Sequence, residues 1–195
     1  MIRPRGDSRA RKQAQDGFSL LEVMISMLLL TVGMVSLLGV FGLAMAATQT
    51  TQQDMIAKQL ANEAYESIVT ARNTAQINWD QIQNVGSTDC PITGTATCGI
   101  FLTGAQPIYN AGADGIYGTA DDAAAGTQTL HEPGPDGIYG TADDAFIPLT
   151  GYQRTIVLTN LDTTLRSITI TVQYTATQAA LPRTYVLNSY ISEYQ

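Results

Sequence analysis

The sequence predicts an α+β chain in which one long N-terminal helix, half of it transmembrane and half amphipathic, packs on a small antiparallel β-sheet. Three observations carry this. Residues 18–47 are almost uncharged and apolar, residues 48–75 show apolar side chains at helical spacing, and residues 152–195 alternate apolar and polar side chains.

The elements follow in chain order. Residues 1–17 hold five basic side chains (Arg3, Arg5, Arg9, Arg11, Lys12) against Asp7 and Asp16, a net +3. From Phe18 onward there are 15 acids and five bases, a net −10, within a total of −7. An acidic body without clustered Lys and Arg argues against nucleic-acid binding through phosphate neutralisation. A basic block before a hydrophobic run is the grammar of membrane targeting, and it predicts that residues 1–17 stay cytoplasmic while the remainder is exported. A helix over the 25 residues Val23 to Ala47 would rise about 37 Å, enough to cross a hydrocarbon core of about 30 Å with some tilt.

Beyond the membrane the helix continues to about Arg72, with Ile56, Leu60, Ala64 and Ile68 every fourth residue and Ala57, Ala61 and Val69 beside them. Gln52, Gln53, Lys58, Gln59, Asn62, Glu63, Glu66 and Arg72 fill the other side. In the C-terminal part, Ile168, Ile170, Val172 and Tyr174 fall on one face of a strand. Tyr152–Thr159 and Thr184–Ser192 are the flanking strands, and Asn160-Leu161-Asp162 is the turn candidate. Three such strands supply an apolar face for the helix stripe, with Trp79 at the edge of the shared core.

Glu22 is the one charge inside the apolar run. A carboxylate there requires a partner or access to the interface, and no base lies on the same segment. A cut before Phe18 would create an α-amine near its depth. Gly17-Phe18-Ser19-Leu20-Leu21-Glu22-Val23, after a short basic leader and before the apolar helix, resembles a type IV prepilin signal. The resemblance implies a pilin-like fold and cleavage by a prepilin peptidase between Gly17 and Phe18, with N-methylation of Phe18. It also implies that Glu22 aligns the subunit in a filament through contacts with other pilin subunits. Within the family, GFSLLEVMISM, Ala61-Asn62-Glu63-Ala64 and Tyr152-Gln153-Arg154-Thr155-Ile156 look most like PilV-type minor pilins; the I-type pseudopilins of type II secretion are similar. Placement in the inner membrane and then in a cell-surface pilus follows from the resemblance. The competing reading is a secretory signal peptide cut at Ala44-Met45-Ala46. Such an h-region spans about 7–15 residues, whereas Phe18 to Leu43 is 26. Many pilins carry a helix-loosening proline where this chain has Gly39; Gly33 and Gly42 lie nearby, and glycine is also frequent in membrane helices generally.

Residues 76–151 form a loop-rich region with two features. Cys90 and Cys98, an even pair in an exported segment, read as a disulfide. Their spacing and the absence of neighbouring histidines make a poor zinc or redox site. The second feature is a duplication: Gly112–Ala123 returns 22 residues later as Gly134–Ala145, and residues 112–145 hold seven acids and no base. Asp114, Asp121 and Asp122, with their counterparts Asp136, Asp143 and Asp144, are candidate ligands for calcium, which takes six to eight oxygens. Neither copy has the EF-hand order. Asp-Gly hairpins closed by side-chain-to-backbone bonds would account for the same residues without metal. A third reading is a paired insertion that displays Tyr117 and Tyr139 to neighbours. As a function class, residues 112–145 could also be the contact surface of a calcium-dependent adhesin. His131, the only histidine, reads as a solvated linker residue. No Ser-His-Asp set, phosphate-binding glycine loop or zinc spacing points to an enzyme.

Overall fold

The computed structural model describes residues 17–87, 98–175 and 182–194. It divides into two units at the Met45–Ala46 boundary, and helix α1, Leu20–Asn73, contributes to both.

The first unit is the apolar part of α1. Its Leu, Met, Val and Phe side chains are exposed, and the helix contains a stretch long and apolar enough to cross a membrane. Hydroxyls within it are satisfied locally: Ser26, Thr31 and Ser36 donate to the carbonyls of Glu22 (2.7 Å), Leu28 (2.8 Å) and Val32 (2.9 Å). Such back-bonding lets a polar side chain sit in an apolar helix without an orphan donor. The N–H groups of Glu22 and Val23 both donate to the Ser19 carbonyl and open the helix there.

In the second unit the buried residues of α1 are Ala57, Leu60, Ala61, Ala64, Ile68 and Ala71. The expected stripe is therefore present, turned slightly so that Ile56 and Val69 are half-buried at its flank. Four of the six buried residues are alanines. The sheet has four antiparallel strands in the order β1-β4-β5-β6: β1 is Gln106–Pro107, β4 Tyr152–Asp162, β5 Leu165–Tyr174 and β6 Arg183–Ser192. A separate ribbon pairs β2, Thr129–Glu132, with β3, Ala145–Pro148. A single helical turn α2 covers Asp122–Ala125.

On β5 the inward face is Arg166, Ile168, Ile170, Val172 and Tyr174, the predicted alternation extended by an arginine. Tyr152, Arg154 and Ile156 continue the face on β4, and Phe101, Ile108, Ile116 and Ile82 close the core. Two ties fix the helix on the sheet. Tyr174 donates its hydroxyl to Asp54; burial, reinforced by that carboxylate, pushes the phenol up to about 12. Near the other end Arg72 donates to the Ser192 carbonyl.

One boundary differs from expectation. Asn160-Leu161-Asp162 is not the turn: these residues end β4, and the chain reverses at Thr163–Thr164. The reason is Arg166, whose Nε donates to Asn160 Oδ1 and which stands directly opposite Asn160 in the ladder. That pairing holds Asn160 in the strand, and the irregularity of a non-regular loop is confined to a bulge at Leu161. Trp79 lies at the core edge as predicted, in a 3-10 turn at Trp79–Gln81.

Candidate functional site

The candidate side chains fall in two places in the chain. At the first, Gly17 and Phe18 precede the helix outside any helix or strand, and both are exposed. A Cβ on Gly17 would meet nothing within 4 Å among the described residues. Glu22 falls in the first turn of α1, where the positive end of the helix dipole favours a carboxylate. Phe18, Glu22, Ser26 and Leu30 line one shallow groove along the helix. Among the described residues no basic side chain bridges to Glu22, leaving its charge to be met by the interface, the dipole or another chain.

Residues 12–38 match the prokaryotic N-terminal methylation motif. The matched stretch contains Gly17, Phe18, Glu22 and the apolar helix as far as Leu38. It is a type IV prepilin-like motif, so the methylation motif supports a prepilin-processed, pilin- or pseudopilin-like chain that a prepilin peptidase cuts and that assembles with other pilins. It marks a structural class of proteins. Together with the apolar helix it fits a membrane-anchored pilin. No curated protein and no solved structure matches the chain.

The second place is the duplicated acidic loop. In the first copy, Asp122 accepts the N–H groups of Gly112 (3.0 Å) and Gly118 (2.6 Å). Asp114 accepts from Ile116 N–H (2.8 Å), and Thr119 Oγ1 donates to Asp121 (2.7 Å) and to the Ile116 carbonyl (3.1 Å). The second copy repeats these five bonds. Asp144 accepts from Gly134 (3.4 Å) and Gly140 (2.6 Å), and Asp136 accepts from Ile138 (2.9 Å). Thr141 donates to Asp143 (2.7 Å) and to the Ile138 carbonyl (3.1 Å). Both copies need left-handed glycines, Gly115 and Gly137 at φ 70° and Gly118 and Gly140 at 92° and 86°. Gly112 and Gly134 are required for space, since a Cβ on either would lie 2.1 Å from an oxygen of Asp121 or Asp143.

Each acidic position therefore has a protein-internal use: the turns aim N–H groups inward, and the carboxylates accept them. Asp114, Asp121 and Asp122 also bring one oxygen each within 4.8 Å of one another. Hydrogen bonds from Thr119 and Thr141 hold Asp121 and Asp143 below the usual carboxylate range. Asp122 and Asp144 diverge. Burial against the core pushes Asp122 above the usual range. At Asp144 burial acts the same way but is outweighed by the Gly140 N–H and His131.

His131 is not a solvated linker residue. It belongs to β2, contacts Asp144 Oδ2 through Nε2 at 2.6 Å and stacks on Phe146 at 4.4 Å between ring centroids. Sequence reading also missed Arg154 and Arg166, both buried. Their signal was parity: Arg154 alternates with Tyr152 and Ile156, and Arg166 precedes Ile168 by two. Cys90 lies outside the described residues, and no free cysteine occurs among the described ones.

Proposed function

We propose that this chain is a minor type IV pilin subunit of the PilV type. A prepilin peptidase cuts it between Gly17 and Phe18, and Phe18 is N-methylated. The subunit waits in the inner membrane with its N-terminus cytoplasmic and its C-terminal head periplasmic, then joins or primes a cell-surface filament. The observation that carries this reading is the methylation motif lying over a glycine, a phenylalanine and a glutamate at the head of a long apolar helix. In the filament the new amine of one subunit would meet Glu22 of a neighbour. Between two groups in a low-dielectric bundle, that pairing fixes axial register as well as adding attraction. Cys90 and Cys98 would close a disulfide loop that stabilises the head by about 2–3 kcal/mol.

Sequencing the mature N-terminus tests the reading. N-methyl-Phe18 is the expected result; a chain beginning at Ala47 would overturn it. Glu22→Ala is expected to leave cleavage intact and to lower incorporation into sheared filaments about tenfold or more, since charge-assisted bonds are the stronger ones. Recovery only with a secretion complex, never in filaments, would instead identify an I-type pseudopilin.

Calcium binding by Asp114, Asp121 and Asp122, with Asp136, Asp143 and Asp144 as the second set, is a separate proposal. The gathering of three carboxylate oxygens in the first copy supports it. Titration calorimetry on the full chain in detergent, with calcium chloride to millimolar concentration, is expected to give a saturable heat that the double substitution Asp121→Asn, Asp143→Asn reduces. A flat trace ends the proposal, and the hydrogen-bonded loops then stand as metal-free turns.

A further inference from the structure

The two copies of the acidic loop have the same internal bonds and opposite surroundings. Copy 1 is docked on its own chain. Ile116 is 1 % exposed and belongs to the core. The Arg154 guanidinium lies 4.6 Å from the Tyr117 ring centroid, and the Tyr117 N–H donates to Ser67 Oγ on α1 (3.3 Å). Gly118 passes so close to β4 that a Cβ on it would lie 2.5 Å from Ile156 Cδ1. Copy 2 carries the same Ile-Tyr-Gly on the same scaffold, but Ile138 is 60 % and Tyr139 63 % exposed, and a Cβ on Gly140 would meet nothing within 4 Å.

The exposed set extends to the stem of the loop. Tyr139 meets His131 edge-on at 5.3 Å, His131 stacks on Phe146, and Phe146 is itself exposed. A contiguous aromatic group beside an exposed isoleucine is the composition of an interface centre. The internal hydrogen bonds hold it in place before any partner arrives, so little ordering entropy opposes binding. Its surroundings are acidic: Glu132, Asp136 and Asp143 are exposed, and residues 112–145 contain no base.

We infer that copy 2 docks on a second protein chain, different from this one, in the manner in which copy 1 docks on its own. The partner surface offers an apolar slot for Ile138 and an arginine over the face of Tyr139. Charge complementarity favours the cation, since an acidic loop with no Lys or Arg is repelled by an acidic surface and steered to a basic one. Copy 1 shows the same pairing realised with Arg154. A second copy of this chain cannot offer that slot, because every copy fills it with its own Ile116 and Tyr117. Tyr139 and Ile138 are the anchors; the exposed carboxylates set the rate and the salt dependence of encounter. The inference does not depend on which filament or complex the chain joins.

The test is site-specific photocross-linking of the full-length protein in the cells that make it. The photoreactive residue p-benzoylphenylalanine replaces Tyr139 in one variant, Tyr117 in a second, and the exposed β6 residue Tyr190 in a third. Position 139 is expected to give one discrete adduct with another protein, mapped by mass spectrometry to a segment bearing an arginine. Position 117 is expected to link only within the chain, and position 190 to give no adduct with that protein. Adding Ile138→Asp is expected to cut the adduct about tenfold or more, as is Glu in place of the partner's mapped arginine. The circular dichroism of purified Ile138→Asp shows whether the fold is kept; if it is not, Ile138→Ser provides the same comparison. An adduct with a second copy of this chain, with lipid alone, with a site lacking a basic residue, or no adduct at all overturns the inference.

Discussion

Ile116→Ala is expected to destabilise the head by about 2–5 kcal/mol, the range for emptying a buried aliphatic site. Ile138→Ala, the same substitution in the same local sequence, is expected to change stability by no more than about 0.5 kcal/mol. The contrast rests on burial alone, since both isoleucines follow an Asp-Gly pair, donate their N–H to the preceding aspartate and return their carbonyl to a threonine. What differs is that Ile116 fills space among residues of α1, β4 and β5, whereas Ile138 is in solvent. For a unit of this size 1 kcal/mol corresponds to about 2–4 °C, so the first variant should melt roughly 5–15 °C lower and the second at the parental temperature. Trp79 is the only tryptophan and sits at the edge of that core, so its fluorescence during heating of the full chain in detergent reports the transition directly. Equal losses in the two variants would show that the second copy is covered as well as the first, and would also remove the basis for its docking role.

That pair of isoleucines marks the limit of what the sequence disclosed. Periodicity made the helix and the three long strands legible: Leu60, Ala64 and Ile68 lie on the buried stripe, and Ile168, Ile170, Val172 and Tyr174 on the buried face. Repeating patterns of this kind are imposed by burial itself, so they survive translation into structure. Strand β1 carried no such pattern, because two residues cannot alternate; Gln106 and Pro107 are a strand only because Arg154 and Gln153 pair with them. The acidic repeats were legible as a duplication and as turns. Calcium ligation and metal-free hairpins both fitted the acids, and what the sequence could not display is which N–H groups the left-handed glycines aim at which carboxylate. Nor can two copies of one local sequence announce different fates, since the difference lies in the α1 and β4 surfaces that only one of them reaches. The methylation motif needed the least structure: Gly17, Phe18 and Glu22 stand out by order and spacing along an apolar helix, and the structure adds that Glu22 occupies the first turn.

Arg166→Ala is the second substitution with a large expected effect, about 3 kcal/mol or more. Its guanidinium is buried and joins two segments that are distant in sequence. It donates to the carbonyls of Trp79 and Ile82 (3.0 Å to the latter) and through Nε to Asn160, and it lies 4.1 Å from the Trp79 ring centroid. Trp79 in turn donates its indole N–H to the Thr163 carbonyl at 2.9 Å, so the 3-10 turn and the β4–β5 hairpin are tied in both directions. Bonds to a charged group contribute about 1.5–3 kcal/mol each, and withdrawing the donor also strands buried acceptors. Arg166→Lys is expected to restore little, because an ammonium is a point charge that cannot reach two carbonyls and an amide with one planar fork. The distinguishing readout is again Trp79. Loss of the cation from its face should shift its emission and raise its quenching by acrylamide in Arg166→Ala at temperatures where the head remains folded. A variant that melts lower with unaltered emission would assign Arg166 to packing alone, and unaltered melting would remove it from the scaffold entirely. The same experiment probes the strand boundary, because Asn160 stays in β4 through its bond to Arg166. Without that bond the bulge at Leu161 loses a side-chain tie beside it, and amide exchange should accelerate from residue 160 to residue 163 while the Ile168–Val172 ladder stays protected.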